Sequence, residues 1–231
     1  MEGVFVTGTG TEVGKTIVAA SIAGALAAAG RRVAVFKPAV TGLDEYPLAD
    51  GPKSRAKCGK SAPRPDHVVL REAAGSAQSD DEVAPYRYGP PMSPHLAAEL
   101  AGEEISRERL LEAARTAAAG ADALVCEGVG GLLVPLGRVS GARHRKDARP
   151  YLVRDFAIDL GLSLVVAASP GLGTINHTLL TIEVARSAGL EVTKVVLTPW
   201  PEEPSEIESS NRETIAALAE VQVETLSHQS P

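Results

Sequence analysis

The segment Gly8-Thr9-Gly10-Thr11-Glu12-Val13-Gly14-Lys15-Thr16 constrains this chain more than any other. It follows a short apolar run at 4–7 and leads into an apolar helical pattern at 15–29, the strand-to-helix setting in which a glycine-rich turn cradles phosphate. Glycine lets the backbone turn tightly and aim several N–H groups inward. The N-terminus of the following helix adds partial positive charge. Lys15 supplies a full charge for the β- and γ-phosphates, and the Thr16 hydroxyl suits Mg²⁺. The usual spacing puts a glycine where this chain has Thr9, so Gly8 stands one residue early.

A strand followed by such a turn and a helix implies an α/β architecture, and the rest of the chain repeats the alternation. Strands are predicted at 4–7, 33–37, 123–127, 164–168 and 192–197, each short and rich in Val, Leu or Ala. Helices are predicted at 15–29, 66–74, 94–101, 107–119, 152–160, 174–188 and 206–219. Gly30, Gly75, Gly120, Gly161 and Gly189 stand where a left-handed residue would stop a helix. Aromatic residues are only 3% of a chain that is 44% apolar, a mix that suits Val- and Leu-rich strands buried on both faces. The expectation is a mostly parallel sheet with helices on both sides, one domain over all 231 residues, and ligands at the C-terminal strand ends.

The formal net charge of −6 argues against nucleic acid as a partner, since a duplex binder presents a basic face. Cys58 and Cys126 have no Cys neighbour at metal or redox spacing and read as reduced thiols. The run at 17–29 is too short to span a membrane, and the chain enters a strand-like run at once without a leader pattern. A cytoplasmic enzyme is the expectation. Two stretches break the rhythm and read as surface loops. One spans 41–65 with Lys53, Arg55, Lys57 and Lys60; the other spans 138–149 with Arg143, His144, Arg145 and Lys146. Their basic residues read as solvated surface or as contacts to an anion.

Other residues sit at strand ends. Lys37 closes the second strand, either as an ordinary strand-end charge or as a group that holds a transferring phosphoryl. Glu127 ends the third strand before Gly128-Val129-Gly130-Gly131, and an acid there fits the metal side of a phosphate-loop enzyme. Asp66 opens a helix pattern as an N-cap would, with Asp44, Asp50, Asp80 and Asp81 as rivals for a metal role. Gly171-Leu172-Gly173-Thr174-Ile175-Asn176-His177 is either a plain strand-to-helix turn or a seat for a carboxylate. The histidines show no zinc-type pairing.

Together these segments resemble the dethiobiotin synthetase family. The resemblance rests on the run 6–16, Phe36-Lys37-Pro38, Thr41-Gly42, Met92-Ser93-Pro94-His95, Glu127-Gly128-Val129-Gly130-Gly131-Leu132 and the run 171–177, in the family's order over most of the chain. The displaced glycine of the phosphate loop is a family trait. The resemblance implies a three-layer P-loop NTPase-like fold and a homodimer that closes the ureido ring of dethiobiotin in biotin biosynthesis. Its substrates would be 7,8-diaminopelargonate, CO₂ and ATP, with Mg²⁺ as cofactor. It assigns catalysis to Lys15 and Lys37. Nucleotide binding falls to Glu12, Val13, Gly14, Lys15, Thr16, Ile17, Asp66, Glu127, Gly128, Val129 and Gly130, with Thr198 and Pro199 on the adenine side after the last long strand. Thr11, Thr41, Gly173 and Asn176 would contact the diamine substrate, and Thr16, Asp66 and Glu127 the metal. A P-loop switch of the septum-positioning kind would carry a second lysine early in the loop, where this chain has Gly10.

Overall fold

The strands alternate their apolar side chains between two cores, which fixes the layering. In β2 (Val33–Phe36) and β3 (Ala123–Glu127), Val33, Val35 and Val125 enter one core, with Val18, Ala19 and Ala23 of α1 (Lys15–Ala28) and Leu70 of α2 (Asp66–Ala73). Ala34, Phe36, Leu124 and Cys126 enter the other, with Leu110 of α5 (Arg107–Ala118) and Phe156 of α6 (Val153–Leu160). A period of two with apolar residues on both phases is what a sheet covered on both faces requires.

In this computed structural model, which describes residues 2–46, 64–137 and 149–227, six strands form one parallel sheet in the order β2-β3-β1-β4-β5-β6. The remaining strands are β1 (Gly3–Gly8), β4 (Ser163–Ala168), β5 (Val192–Trp200) and β6 (Gln222–Ser227). The remaining helices are α3 (Asp80–Val83), α4 (Pro94–Leu100), α7 (Thr174–Ser187) and α8 (Glu206–Ala219). A third core joins Val166, Ala168, Val195 and Leu197 of the sheet to Ile182 of α7 and Ile215 of α8. Among the described residues no helix is long and apolar enough to cross a membrane.

All five predicted glycine stops have positive φ, between 58° at Gly75 and 80° at Gly30. Helix bounds agree with the sequence reading to within a residue at each end, the usual fraying margin. Four differences are larger in meaning. Lys37 lies just beyond β2, because its N–H donates to the Val83 carbonyl (2.8 Å) and leaves the ladder. Thr198 and Pro199 are inside β5, not after it, since that strand runs on to Trp200. The short helix α3 and the edge strand β6 were not predicted. Ser79 and Glu82 form a reciprocal capping box that marks α3 in the sequence. In β6 the side chains are exposed or half-buried, so the apolar alternation is faint.

The opposite edge, β2, is closed by a side chain. The Gln78 amide accepts from Val35 N–H (2.9 Å) and donates to the Val35 carbonyl (3.1 Å), two bonds that a further strand would otherwise make. Cys58 and the two basic clusters, Lys53 to Lys60 and Arg143 to Lys146, lie outside the described residues.

Candidate active site

β1, β3 and β2 are neighbours, so their C-terminal ends deliver three loops to one place. Register and parity then choose the side chains. Val35 pairs with Val125 and Phe36 with Cys126. One step further, Lys37 and Glu127 share the phase of the two valines, which faces α1. The Lys37 Nζ donates to Glu127 Oε1 at 2.6 Å. Thr16, in the first turn of α1, donates to the same oxygen at 2.9 Å. Asp66, at the start of α2, brings Oδ2 to 2.7 Å from Lys37 Nζ. The rivals for Asp66 are engaged elsewhere: Asp80 pairs with Arg71, Asp81 with Arg87, and Asp44 lies against Gly89. Asp50 lies outside the described residues.

The phosphate loop is tightly packed at both ends. A Cβ on Gly8 would stand 2.7 Å from Val13 Cγ2, so the displaced glycine has a steric reason to be where it is. Gly14 has φ 83°, and a Cβ there would stand 2.5 Å from Thr198 Cγ2. Gly10, by contrast, has open space around it. Glu12 adopts φ 59°, uncommon for a residue with a side chain. Lys15 folds back to donate from Nζ to the Gly10 carbonyl at 2.8 Å.

These groups line a cavity of about 370 Å³ with Thr11, Glu12, Gly14, Lys15, Thr16, Ile17, Lys37, Thr41, Asp66, Glu127, Val129 and Gly130 in its wall. Two further wall residues, Ala39 and Tyr46, were not found from the sequence, because a loop carries no periodic signal. Four predicted residues sit just behind the wall. Val13 packs on Gly8, Gly128 is pressed against the Phe5 ring, and Thr198 braces Gly14 with Pro199 beside it in β5. Gly173 and Asn176 belong to the N-terminal turn of α7 and do not line this cavity. Thr41 is held in place by its neighbours. The N–H groups of Val40, Gly42, Leu43 and Asp44 donate to the carbonyls of Tyr86, Pro90, Tyr88 and Gly89. The stretch that leads into Ser93-Pro94-His95 therefore serves as a rail for the loop carrying Thr41.

The electrostatics are those of a cation between two acids. Burial alone would lower the Lys37 ammonium, but Glu127 and Asp66 outweigh it and hold it above its ordinary value. Burial raises the Glu127 carboxyl, with Lys37 pulling against it. For Asp66 burial acts upward too, yet Lys37 prevails and holds the carboxyl below the usual range. Burial, then the nearby Lys37, lowers Lys15. One polar atom is left over: Glu127 Oε2 is buried and has no hydrogen-bond partner. With the Thr16 hydroxyl and the Asp66 carboxylate it completes a set of hard oxygen donors, the kind Mg²⁺ takes when phosphate and water fill the remaining positions.

Residues 2–226 match the family described as AAA domain. The chain is 31% identical over 223 residues to the ATP-dependent dethiobiotin synthetase BioD of Bacillus subtilis (strain 168), covering 96% of this chain and 85% of that protein. It is 40% identical over 197 residues to the protein of the same name from Anaeromyxobacter dehalogenans (strain 2CP-1 / ATCC BAA-258), covering 85% and 76%. Among solved structures, the MinC:MinD cell division protein complex of Aquifex aeolicus aligns over 99% of this chain and 82% of that chain. Its TM-score is 0.53 at 14% identity, a likeness of fold alone.

Proposed function

The chain belongs to the ATP-dependent dethiobiotin synthetase family, and from that premise we propose how its cavity closes a ureido ring. The observation that carries the reading is the convergence of Lys15, Thr16, Lys37, Asp66 and Glu127 on one cavity behind a phosphate loop. Phosphoryl transfer needs positioning and charge neutralisation more than covalent catalysis, and this wall offers both.

One amine of 7,8-diaminopelargonate attacks CO₂ and loses a proton, forming a carbamate. A carbamate oxygen then attacks the γ-phosphorus of ATP. The bond to the bridging oxygen breaks, ADP leaves, and a carbamic–phosphoric mixed anhydride results. The second amine attacks the anhydride carbon and gives up one proton to the departing phosphate or to water, phosphate leaves with the bonding pair, and the ring closes. Lys15 leaves the Gly10 carbonyl for the β- and γ-phosphates. Backbone N–H groups of Glu12, Val13, Gly14, Thr16 and Ile17 face the phosphate chain, and the close backbone at Gly128, Val129 and Gly130 borders it. Thr198 and Pro199 stand on the adenine side. Lys37 turns from its carboxylates toward the carbamate and the phosphoryl in flight, where its charge is worth most. Thr11 and Thr41 contact the diamine. Thr16, Asp66 and Glu127 Oε2 would hold Mg²⁺, which when bound neutralises charge on the β- and γ-phosphate oxygens.

The turn Gly173–Asn176 is read as a seat for the substrate carboxylate near a homodimer interface. Leu172 is 94% exposed beside it, with Leu180 at 56% and Leu133 at 55%, apolar surface that a second copy would cover. One fold unit performing the whole reaction in the cytoplasm is part of the same proposal. ADP release from Mg·ATP, followed with and without the diamine and bicarbonate, tests it. Release that requires both, with a product mass matching the cyclic urea, is expected. ADP release independent of the diamine would overturn it in favour of a switch ATPase.

A further inference from the structure

Tyr46 is a wall residue that the mechanism above does not use, and the inference rests on that diamine reading. It follows the 3₁₀ turn Leu43–Glu45 and donates its N–H to the Leu43 carbonyl at 3.2 Å. The turn is the end of the loop that is railed to residues 86–90, so the ring stands on a fixed base. It lines the same cavity as Lys37, Thr41, Asp66 and Glu127, and the charges that act on its phenol are those of Asp66, Lys37, Glu45 and Glu127, which puts it on the Lys37 side of the site. Burial, then the charge of Asp66, raises the phenol above its ordinary value, so its O–H stays a donor at neutral pH.

The chemistry of the substrate asks for such a group. An amine attacks only as the free base. A carboxylate beside it would favour the ammonium form, and a lysine would repel that form without accepting an N–H. The charged members of the wall are Glu12, Lys15, Lys37, Asp66 and Glu127. A neutral hydroxyl accepts an N–H from the free amine and can donate to a carbamate oxygen at the same time. Thr16 is already committed to Glu127. Thr11 of the phosphate loop remains for this task, with Thr41 and Tyr46 on one loop beside it.

We propose that the Tyr46 phenol contacts the diamine directly, accepting an N–H from the attacking amine and donating its O–H to the carbamate. Together with Thr41 it makes the neutral side of the site, which selects a free vicinal diamine over a charged one. Equilibrium titration of 7,8-diaminopelargonate into the full chain loaded with Mg²⁺ and a non-hydrolysable ATP analogue tests this, with Tyr46→Phe and Tyr46→Ala beside the wild type. Tyr46→Phe is expected to weaken the diamine about tenfold, the size of one lost hydrogen bond, and to leave affinity for the ATP analogue within about twofold. Diamine affinity unchanged in Tyr46→Phe overturns the proposal, whatever Tyr46→Ala does, since the ring alone would then suffice. Equal weakening of diamine and nucleotide also overturns it, as a general disturbance of the cavity. A wild-type chain that binds the ATP analogue and no diamine overturns the substrate reading itself, and Tyr46's role with it.

Discussion

Two strand-to-helix turns in this molecule begin their helices in the same way and are finished differently. Gly14 opens α1 with φ 83° and Gly173 opens α7 with φ 90°, and neither helix has a side-chain cap at its start. The first turn is packed: Gly14 abuts Thr198, Gly8 abuts Val13, and Lys15 is 7% exposed. The second is open: Gly171 has nothing within 4 Å of a would-be Cβ, and Gly173 has only the His177 ring at 3.8 Å. Helix N-termini attract anions in both cases. What separates the turns is what stands around them. A buried surround of paired lysines and carboxylates encloses the first turn within one chain. The second lies beside exposed apolar side chains, Leu172 above all.

The comparison breaks most sharply at the charges. Lys15→Ala or Lys37→Ala should lower turnover by about a hundredfold or more, the usual loss when one preorganised charge at a transferring group is removed. Steady-state rates with saturating ATP check this. Near-normal turnover in Lys37→Ala would mean that the first turn needs no help from its surround. The same variant should also unfold more easily, by about 3–5 kcal/mol in urea, because it leaves the buried Glu127 carboxylate without its cation.

Sterics give the next contrast. Ala at either glycine suffers the left-handed backbone, at about 1–2 kcal/mol. Only Gly14→Ala adds a collision, with Thr198, for a further ~1–3 kcal/mol of overpacking. Urea unfolding of the two variants should therefore differ, and Thr198→Ser, which removes the obstructing methyl, should recover part of the Gly14→Ala loss and none of the Gly173→Ala loss.

A smaller effect lies in pH. The Asp66 carboxyl is held below its ordinary value of 3.8, so the unfolded chain binds its proton first as pH falls. Its stabilising contribution is full above 3.8 and is lost as pH drops through the lower folded value. The stability difference between wild type and Asp66→Asn should shrink over that acid window and stay constant near neutrality. A difference that instead grows on acidification would remove Lys37 as the partner of Asp66. Smallest of all, Leu172→Ser should alter the stability of the chain by no more than about 0.5 kcal/mol, as for a surface change away from packed features. Light scattering on that variant reports whether the open turn is where two copies meet.

The legible parts of the molecule are those whose chemistry is local. The phosphate loop needs glycines close together in sequence, and a strand end declares itself by a charge after an apolar run, so Lys15 and Glu127 stand out in advance, while Lys37 reads equally as an ordinary strand-end charge until the family resemblance is added. Asp66 could not be told from Asp44, Asp80 or Asp81 by residue type. What selects it is the packing of α2 on α1, a long-range fact. Thr198 was assigned to a position after a strand that in fact continues to Trp200, because Pro199 reads as a strand end in sequence. Tyr46 gave no signal, since its place in the wall depends on a loop being tied to residues far along the chain.

The amide of Gln78, laid along Val35, has a consequence beyond the fold. An unpaired strand edge is a template on which other chains can add and aggregate, and Gln78 occupies two of the template's positions with a group that cannot be extended. Its isostere Glu would keep the acceptor and lose the donor, leaving the Val35 carbonyl facing a negative charge. Exchange of the amide for a carboxylate at position 78 would then free one of the two template positions and put a charge beside it, with every residue of the cavity wall unchanged.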